Sequence, residues 1–190
     1  MKAFLVFLAS AFLFVNVASA SDTQFDMLSF CTKAQVPAGI ETYVPPTSGF
    51  SAYIISIRSV FIDMYMNGGK SFEYRKSFPC ESVTHVIFYD SESKNVVATG
   101  KVVQGLKGTP AKIIDATVDR SGVSKTDLWW YYQTTPVAYA TEVKFELLPR
   151  KITLAELKEM EPTFAAPQGY TYLKKYPKLE EEIKKQLAIP

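Results

Sequence analysis

Residues 137–148 alternate between two kinds of side chain, and this pattern constrains the fold more than any other feature of the sequence. One set of positions is largely apolar, and the other is small or charged. The first set is Val137, Tyr139, Thr141, Val143, Phe145 and Leu147, and the second is Ala138, Ala140, Glu142, Lys144 and Glu146. Successive side chains of a β-strand point to opposite faces, so this period of two predicts a strand with one buried face and one wet face. Such a strand is typical of an antiparallel sheet that is covered on one side.

Six further runs, rich in β-branched and aromatic residues, lie upstream and are separated by turn residues. They span residues 53–66, 71–76, 83–89, 96–103, 111–118 and 126–133. The first run also allows a helix with Ile54, Ile57, Phe61 and Met64 on one face. Its β-branched content and the Asn-Gly-Gly turn at 67–69 favour a strand. Seven strands joined by short turns predict an all-β fold, which is an antiparallel β-sandwich or, as the alternative, a β-barrel.

The chain changes character after residue 150. Thr153 and Glu156 form a capping-box pattern, which predicts a short helix that ends near Met160. Pro177 can occupy the first turn of a second helix. The apolar stripe of that second helix is Leu179, Ile183 and Leu187. We therefore expect one or two short C-terminal helices that pack on the domain or project from it.

The N-terminus has the three parts of a secretory signal peptide. Lys2 makes the start basic, residues 3–15 are almost wholly apolar, and residues 18–20 (Ala-Ser-Ala) are small enough for cleavage. A membrane anchor is the alternative, but the apolar run is shorter than the roughly 20 residues that span a bilayer, and we predict no membrane span. We expect a signal peptide at 1–20, a β-sandwich domain at 21–150 and a helical extension at 151–190. The protein is then secreted, extracellular or periplasmic, after cleavage following Ala20.

Cys31 and Cys80 are the two cysteines of the chain. In an oxidising compartment two cysteines most simply pair with each other, and a loop of this length would gain roughly 4 kcal/mol in the chain-entropy model. Free thiols or a metal site are the alternatives. A zinc site needs about four ligands, and the chain has one histidine to add. We therefore predict a disulfide, no metal site and no cofactor.

The charge of the chain is nearly balanced. The net charge is +2 over 190 residues, and loss of Lys2 leaves 20 basic and 19 acidic residues, a net charge of +1. The arginines are dispersed, and no basic stripe is visible in the sequence. This balance predicts no nucleic-acid partner.

The residues that could support catalysis do not form a recognisable pattern. His85 is the single histidine, and the sequence supplies no carboxylate or nucleophile that can be placed beside it. Glu142 and Glu146 share a face of one strand with Lys144 between them, which is typical of a solvated surface. We predict no catalytic residue, while a secreted hydrolase built from His85 and distant carboxylates stays open as an alternative.

The stretch 126–133, TDLWWYYQ, contains both tryptophans of a chain that is 14% aromatic. As a strand it would place Trp130 and Tyr132 on the face of Leu128, which we expect to be buried. Trp129 and Tyr131 would then point outward as a ligand- or partner-binding patch. The leading hypothesis is a secreted, non-catalytic binding module that engages a protein, a glycan or a small apolar ligand through this patch. A structural, envelope-associated protein is a further alternative.

Overall fold

A computed structural model describes residues 39–79 and 83–189 of the chain. These residues form seven β-strands and five α-helices. The strands are β1 (Glu41–Tyr43), β2 (Ala52–Ile57), β3 (Phe72–Arg75), β4 (His85–Asp90), β5 (Asn95–Gly108), β6 (Ala138–Thr153) and β7 (Tyr170–Tyr172). The helices are α1 (Ser59–Met66), α2 (Pro110–Thr117), α3 (Lys125–Tyr132), α4 (Leu154–Met160) and α5 (Pro177–Gln186). Short 3-10 helices lie at Val118–Arg120 and Leu173–Lys175.

Several predictions fall on residues outside this part of the chain. The predicted signal peptide at 1–20 lies there, and cleavage and secretion stay predictions. Cys31 and Cys80, which we predicted to form a disulfide, lie there too, and no disulfide is found among the described residues.

The strands form one mixed sheet that curls like a half-barrel. Their order is β3-β6-β5-β4-β2-β7, and β1 pairs with the C-terminal end of β5. β2 and β4 are parallel, and the other pairs are antiparallel. The long strands β5 and β6 shift register twice against each other, between Val96 and Ala98 and between Val102 and Gln104. Bulges of this kind bend a sheet and increase its twist.

The fold is β-rich, as predicted, but it is not an all-β sandwich, because three predicted strands are wholly or partly helical. The run 53–66 is a strand only in its first half, and its second half is α1, which buries Ile62 and Tyr65. This helical outcome is close to the alternative that the sequence allowed. The run 111–118 is α2, in which Thr109 accepts a hydrogen bond from the backbone of Lys112 and Pro110 occupies the first turn. β-branched content favoured a strand at 111–118, and the helix-capping signals outweighed it there.

The aromatic run 126–133 is α3 and not a strand. Ser124 caps it and forms a capping box with Asp127, whose carboxylate in turn accepts from the backbone of Ser124. Leu128 and Tyr132, four residues apart, are buried. Tyr132 therefore points inward as predicted, whereas Trp130 does not.

Both faces of the sheet are covered, which explains why the alternation in residues 137–148 does not give one wet face. One face packs around Tyr53, Phe88 and Val143 together with α1. The opposite face packs against α4 and α5. Helices α2 and α3 cover a third cluster, in which Ala138 and Ala140 are fully buried. Residues expected to be wet are therefore part of the core.

The two C-terminal helices form where the sequence predicts them. α4 begins after Thr153 with the expected capping box to Glu156. α5 begins at Pro177 and buries Leu179 and Ile183 against the sheet. No helix in the described part of the chain is both long and apolar enough to cross a bilayer.

Candidate functional site

A cavity of about 280 Å³ opens where the sheet edge at β3 faces the end of β2. α1 and α3 form its other walls, to which they contribute Phe61 and Tyr131. The apolar and aromatic lining residues are Ile57, Phe61, Tyr74, Val123, Leu128 and Tyr131. The polar and charged lining residues are Ser56, Arg58, Lys70, Glu73, Arg75 and Asp127. An apolar pocket with a few convergent polar groups is the usual form of a ligand site.

Glu73 is the centre of a charged cluster on the cavity wall. One carboxylate oxygen accepts from Arg75 Nη2 at 2.8 Å. The other lies 3.8 Å from Lys70 Nζ and accepts from Tyr65 Oη at 3.3 Å. The cluster contains two cations and one carboxylate, so it carries an excess positive charge. Glu73 and Lys70 are less than a tenth exposed, and this excess is therefore held in a desolvated position.

Lys70 connects the cluster to the segment that leads into α3. Its ammonium group donates to Phe72 O at 2.6 Å and to Ser121 O at 3.4 Å. It also lies 5.2 Å from the ring centre of Tyr65 and 5.0 Å from that of Tyr74. Burial lowers the pKa of Lys70 from its ordinary value, and Glu73 opposes this shift. The ammonium is thus stabilised by carbonyls and ring faces in place of water.

Arg75 lines the cavity, and one of its guanidinium donors has no partner in the described part of the chain. Its Nη2 donates to Glu73 and, at 3.4 Å, to Ser56 O. Its Nε is buried and has no hydrogen-bond partner among the described residues. Buried polar groups nearly always have a partner, and leaving one unpaired costs about 1–3 kcal/mol.

Further cations surround the opening of the cavity. Arg58 precedes α1 and pairs with Glu92 at 3.1 Å, and its side chain is 69% exposed. Lys76 follows β3, and its ammonium lies 5.2 Å from the ring centre of Tyr131 and donates to Thr134 at 3.1 Å. Lys76 and Arg58 therefore carry positive charge on the outside of the cavity.

The structure separates the two residues of the predicted aromatic patch. Tyr131 lines the cavity and donates to Tyr74 O at 3.2 Å. Burial raises its pKa. Trp129 is 42% exposed and is not among the described residues that line the cavity. Residues two apart on an α-helix point about 200° apart, so Trp129 and Tyr131 cannot form one patch on α3.

The other catalytic candidates lie elsewhere. His85 begins β4, its Nδ1 is 2.9 Å from Thr84 Oγ1, and its ring packs 5.0 Å from that of Phe50. Burial and the nearby Lys101 lower its pKa. No carboxylate is among its hydrogen-bond partners in the described part of the chain. His85 therefore lacks the orienting carboxylate that a general base needs.

Glu142 and Glu146 do not form a catalytic pair either. Glu142 accepts from Gln104 at 2.6 Å and pairs with Arg120, and Glu146 is exposed. Within residues 39–79 and 83–189, no group of three or more His, Cys, Asp or Glu residues could hold a metal ion.

Sequence reasoning found Tyr131 but missed the other residues that make the cavity, because they come from separate elements. Lys70, Glu73 and Arg75 occur within six positions, but in sequence they resemble an ordinary charged strand. What distinguishes them is burial, which depends on α1 and α3 being helices. The capping pattern at Ser124 and Asp127 was the available signal for α3.

The fold is of a known class. It resembles the fold of ASCH proteins of known structure. No protein-family model and no curated protein matches this sequence.

The particular proteins that it resembles are crystal structures of ASCH from Zymomonas mobilis. ASCH itself is 22% identical, has a TM-score of 0.61, and the match covers 72% of this chain and 93% of that chain. A tyrosine-to-phenylalanine variant is 20% identical with a TM-score of 0.63, covering 70% of this chain and 96% of the other. A serine-to-alanine variant is 21% identical with a TM-score of 0.62, and the match covers 70% of this chain and 95% of that chain. At these identities the likeness concerns the fold alone.

This fold overturns the functional predictions. The sandwich-type binding module with an aromatic patch is wrong, and so are its hydrolase and envelope-protein alternatives, whereas secretion stays a prediction. The exclusion of nucleic acid is also wrong, because the likeness to the ASCH structures conflicts with it. The physical reason is that net charge is a sum over the whole chain. It does not register cations that the fold gathers at one cavity.

Proposed function

We propose that this protein binds single-stranded RNA and places one base in the cavity. The observation that carries the proposal is an aromatic-walled cavity with excess positive charge. The flat aromatic walls suit the face of a base, and the positive charge suits the strand that carries it. A free phosphate would satisfy the charge but would gain nothing from Phe61 and Tyr131.

The cations at the opening fit the rest of an RNA strand. Arg58 and Lys76 are close to the cavity and lie toward solvent, where the sugar–phosphate backbone of a bound nucleotide would emerge. Phosphates bind arginine and lysine side chains without regard to sequence, so these two residues would add affinity and not base preference. A base within a duplex is stacked and paired, so it cannot enter a cavity between α1 and α3. For this reason we propose an unpaired strand.

The likeness to ASCH domains supports the proposal from an independent direction. ASCH domains have a PUA-like fold, which is an RNA-binding fold, and the match covers nearly the whole of the Zymomonas mobilis structures.

The test compares two aromatic residues of α3 that are matched in size and exposure. Tyr131 is 38% exposed and lines the cavity, whereas Trp129 is 42% exposed and does not. Loss of a base-stacking aromatic costs about 1–3 kcal/mol, so Tyr131→Ala should weaken binding of a single-stranded oligoribonucleotide about 5- to 150-fold. Trp129→Ala should change the affinity less than about twofold. Fluorescence anisotropy of end-labelled RNA measures both.

Two further probes define what would refute the proposal. A duplex RNA of the same length should bind more weakly than the single strand. Absence of binding by the wild-type protein at low salt would refute RNA binding altogether. Equal losses in Tyr131→Ala and Trp129→Ala, with both variants folded by circular dichroism, would refute the cavity as the site.

A further inference from the structure

The turn between β4 and β5 places a carboxylate beside the most exposed cation of the cavity. Glu92 Oε1 accepts from Arg58 Nε at 3.1 Å. Side-chain exposure is 69% for Arg58 and 50% for Glu92, compared with 21% for Arg75 and 5% for Lys70. Arg58 is therefore the lining cation with the most freedom to change partner.

The position of Glu92 is held by a set of hydrogen bonds within the turn. Asp90 is 6% exposed and accepts from Ser59 Oγ at 2.9 Å and from the backbone of Glu92 at 3.0 Å. The backbone of Ser91 donates to Ile57 O at 2.9 Å. These bonds fix the turn to the end of β2 and the start of α1, which are the elements on either side of Arg58. The backbone of Glu92 is consequently anchored near the cavity, and the side chain of Arg58 is the more exposed of the pair.

The other carboxylates of the cavity already have partners that do not lie at its opening. Glu73 is buried between Lys70 and Arg75. Asp127 completes the capping box with Ser124 at the start of α3. Glu92 is thus the carboxylate of this region that is paired with an exposed cation.

We propose that Glu92 attenuates RNA binding by holding Arg58 in an ion pair that an RNA phosphate must displace. This inference rests on the function proposed above. An exposed ion pair is weak, so a phosphate at the opening can take its place when a base occupies the cavity. Arg58 then exchanges one anionic partner for another, and the affinity for RNA is set by the difference between the two.

The test is a double-mutant cycle on these two side chains. Glu92→Gln, which is isosteric and removes the charge, should tighten binding of single-stranded RNA about two- to fivefold at low salt. Arg58→Ala should weaken it. In the Arg58→Ala background, Glu92→Gln should have no further effect, since no cation remains for it to release. The gain in Glu92→Gln should shrink as salt is added, because exposed charges are screened.

Glu159→Gln is the matched control, because Glu159 is an exposed carboxylate on α4 and its substitution makes the same change in net charge. It should leave the affinity within about twofold. Tightening by Glu159→Gln as large as that by Glu92→Gln would overturn the inference, because general charge would then explain both. The same holds if Glu92→Gln tightens binding equally in the Arg58→Ala background, or does not tighten it at all. In each of these cases RNA binding by the wild-type protein would still stand. If neither the wild type nor Glu92→Gln binds RNA, both proposals fail together.

Discussion

Lys70 is a buried cation in the wall of the cavity, so its desolvation lowers the stability of the folded protein. Its ammonium lies among the rings of Phe61, Tyr65 and Tyr74, and it is compensated by Glu73 and by backbone carbonyls. A buried cation of this kind lowers stability unless its partners are well placed.

Lys70 predicts a specific dependence of stability on pH. Its pKa in the folded protein lies below the ordinary value of 10.5, which applies in the unfolded chain. Between these two values the unfolded chain binds more protons, so the contribution of Lys70 to the free energy of unfolding rises with pH. The wild type should therefore gain stability relative to Lys70→Met as the pH is raised from 8 toward 10.5. Urea unfolding of both proteins at several pH values measures this difference, and a difference that does not change with pH would contradict the prediction.

At the scale of elements, α3 makes both the wall of the cavity and a part of the core. Its inner face buries Leu128 and Tyr132, and Tyr132 Oη donates to Tyr139 O at 2.6 Å. Its next face presents Tyr131 to the cavity. The cap at Ser124 fixes where the helix begins and thereby which residue points in each direction. A shift of one residue would move Tyr131 by about 100° around the helix axis.

The orientation of α3 against the sheet predicts which of its aromatic residues contributes to stability. Tyr132 is 1% exposed and Trp130 is 66% exposed. Tyr132→Ala should lower the free energy of unfolding by about 3–5 kcal/mol, as truncation of a buried aromatic residue does. Trp130→Ala should lower it by less than about 1 kcal/mol. Urea unfolding followed by far-UV circular dichroism measures both, and a larger loss in Trp130→Ala would show that α3 packs through a different face.

At the scale of the whole molecule, the basic residues are dispersed along the sequence, but the fold brings several of them together at the cavity. Arg58, Lys70 and Arg75 line one cavity, and Lys76 lies beside it against Tyr131. The net charge of +2 therefore says little about the local field. Affinity for an anionic polymer depends on that local field, and it should be strongly salt-dependent.

The number of phosphates contacted can be measured from this salt dependence. Each phosphate neutralised on a single strand contributes about −0.7 to the slope of log K against log salt. Lys76→Ala, at the opening, should reduce the steepness of the slope by about 0.7 and weaken binding at low salt. Lys112→Ala, which removes an exposed lysine from α2 outside the cavity lining, should leave the slope unchanged. Equal slopes in the wild type and Lys76→Ala would show that Lys76 contacts no phosphate.

The sequence by itself determined the local elements whose signals need only neighbouring residues. The strand within 137–148 and the helices that begin after Thr153 and at Pro177 are where the sequence predicts them, because period and capping are properties of a short segment. The β-rich character of the chain follows from the same local preferences.

Tertiary structure decided whether segments with conflicting local signals became helices or strands. It also decided where the cavity lies. The runs at 59–66, 111–117 and 125–132 are rich in β-branched or aromatic residues, yet they are helices. Packing against the curled sheet stabilises them, and the last two also have side-chain caps at Thr109 and Ser124. The sheet is covered on both faces, so alternation did not report which residues are wet. Lys70, Glu73, Arg75 and Tyr131 became a site only when β3 was brought against α1 and α3, since burial and distance between elements are not encoded in any short stretch of sequence.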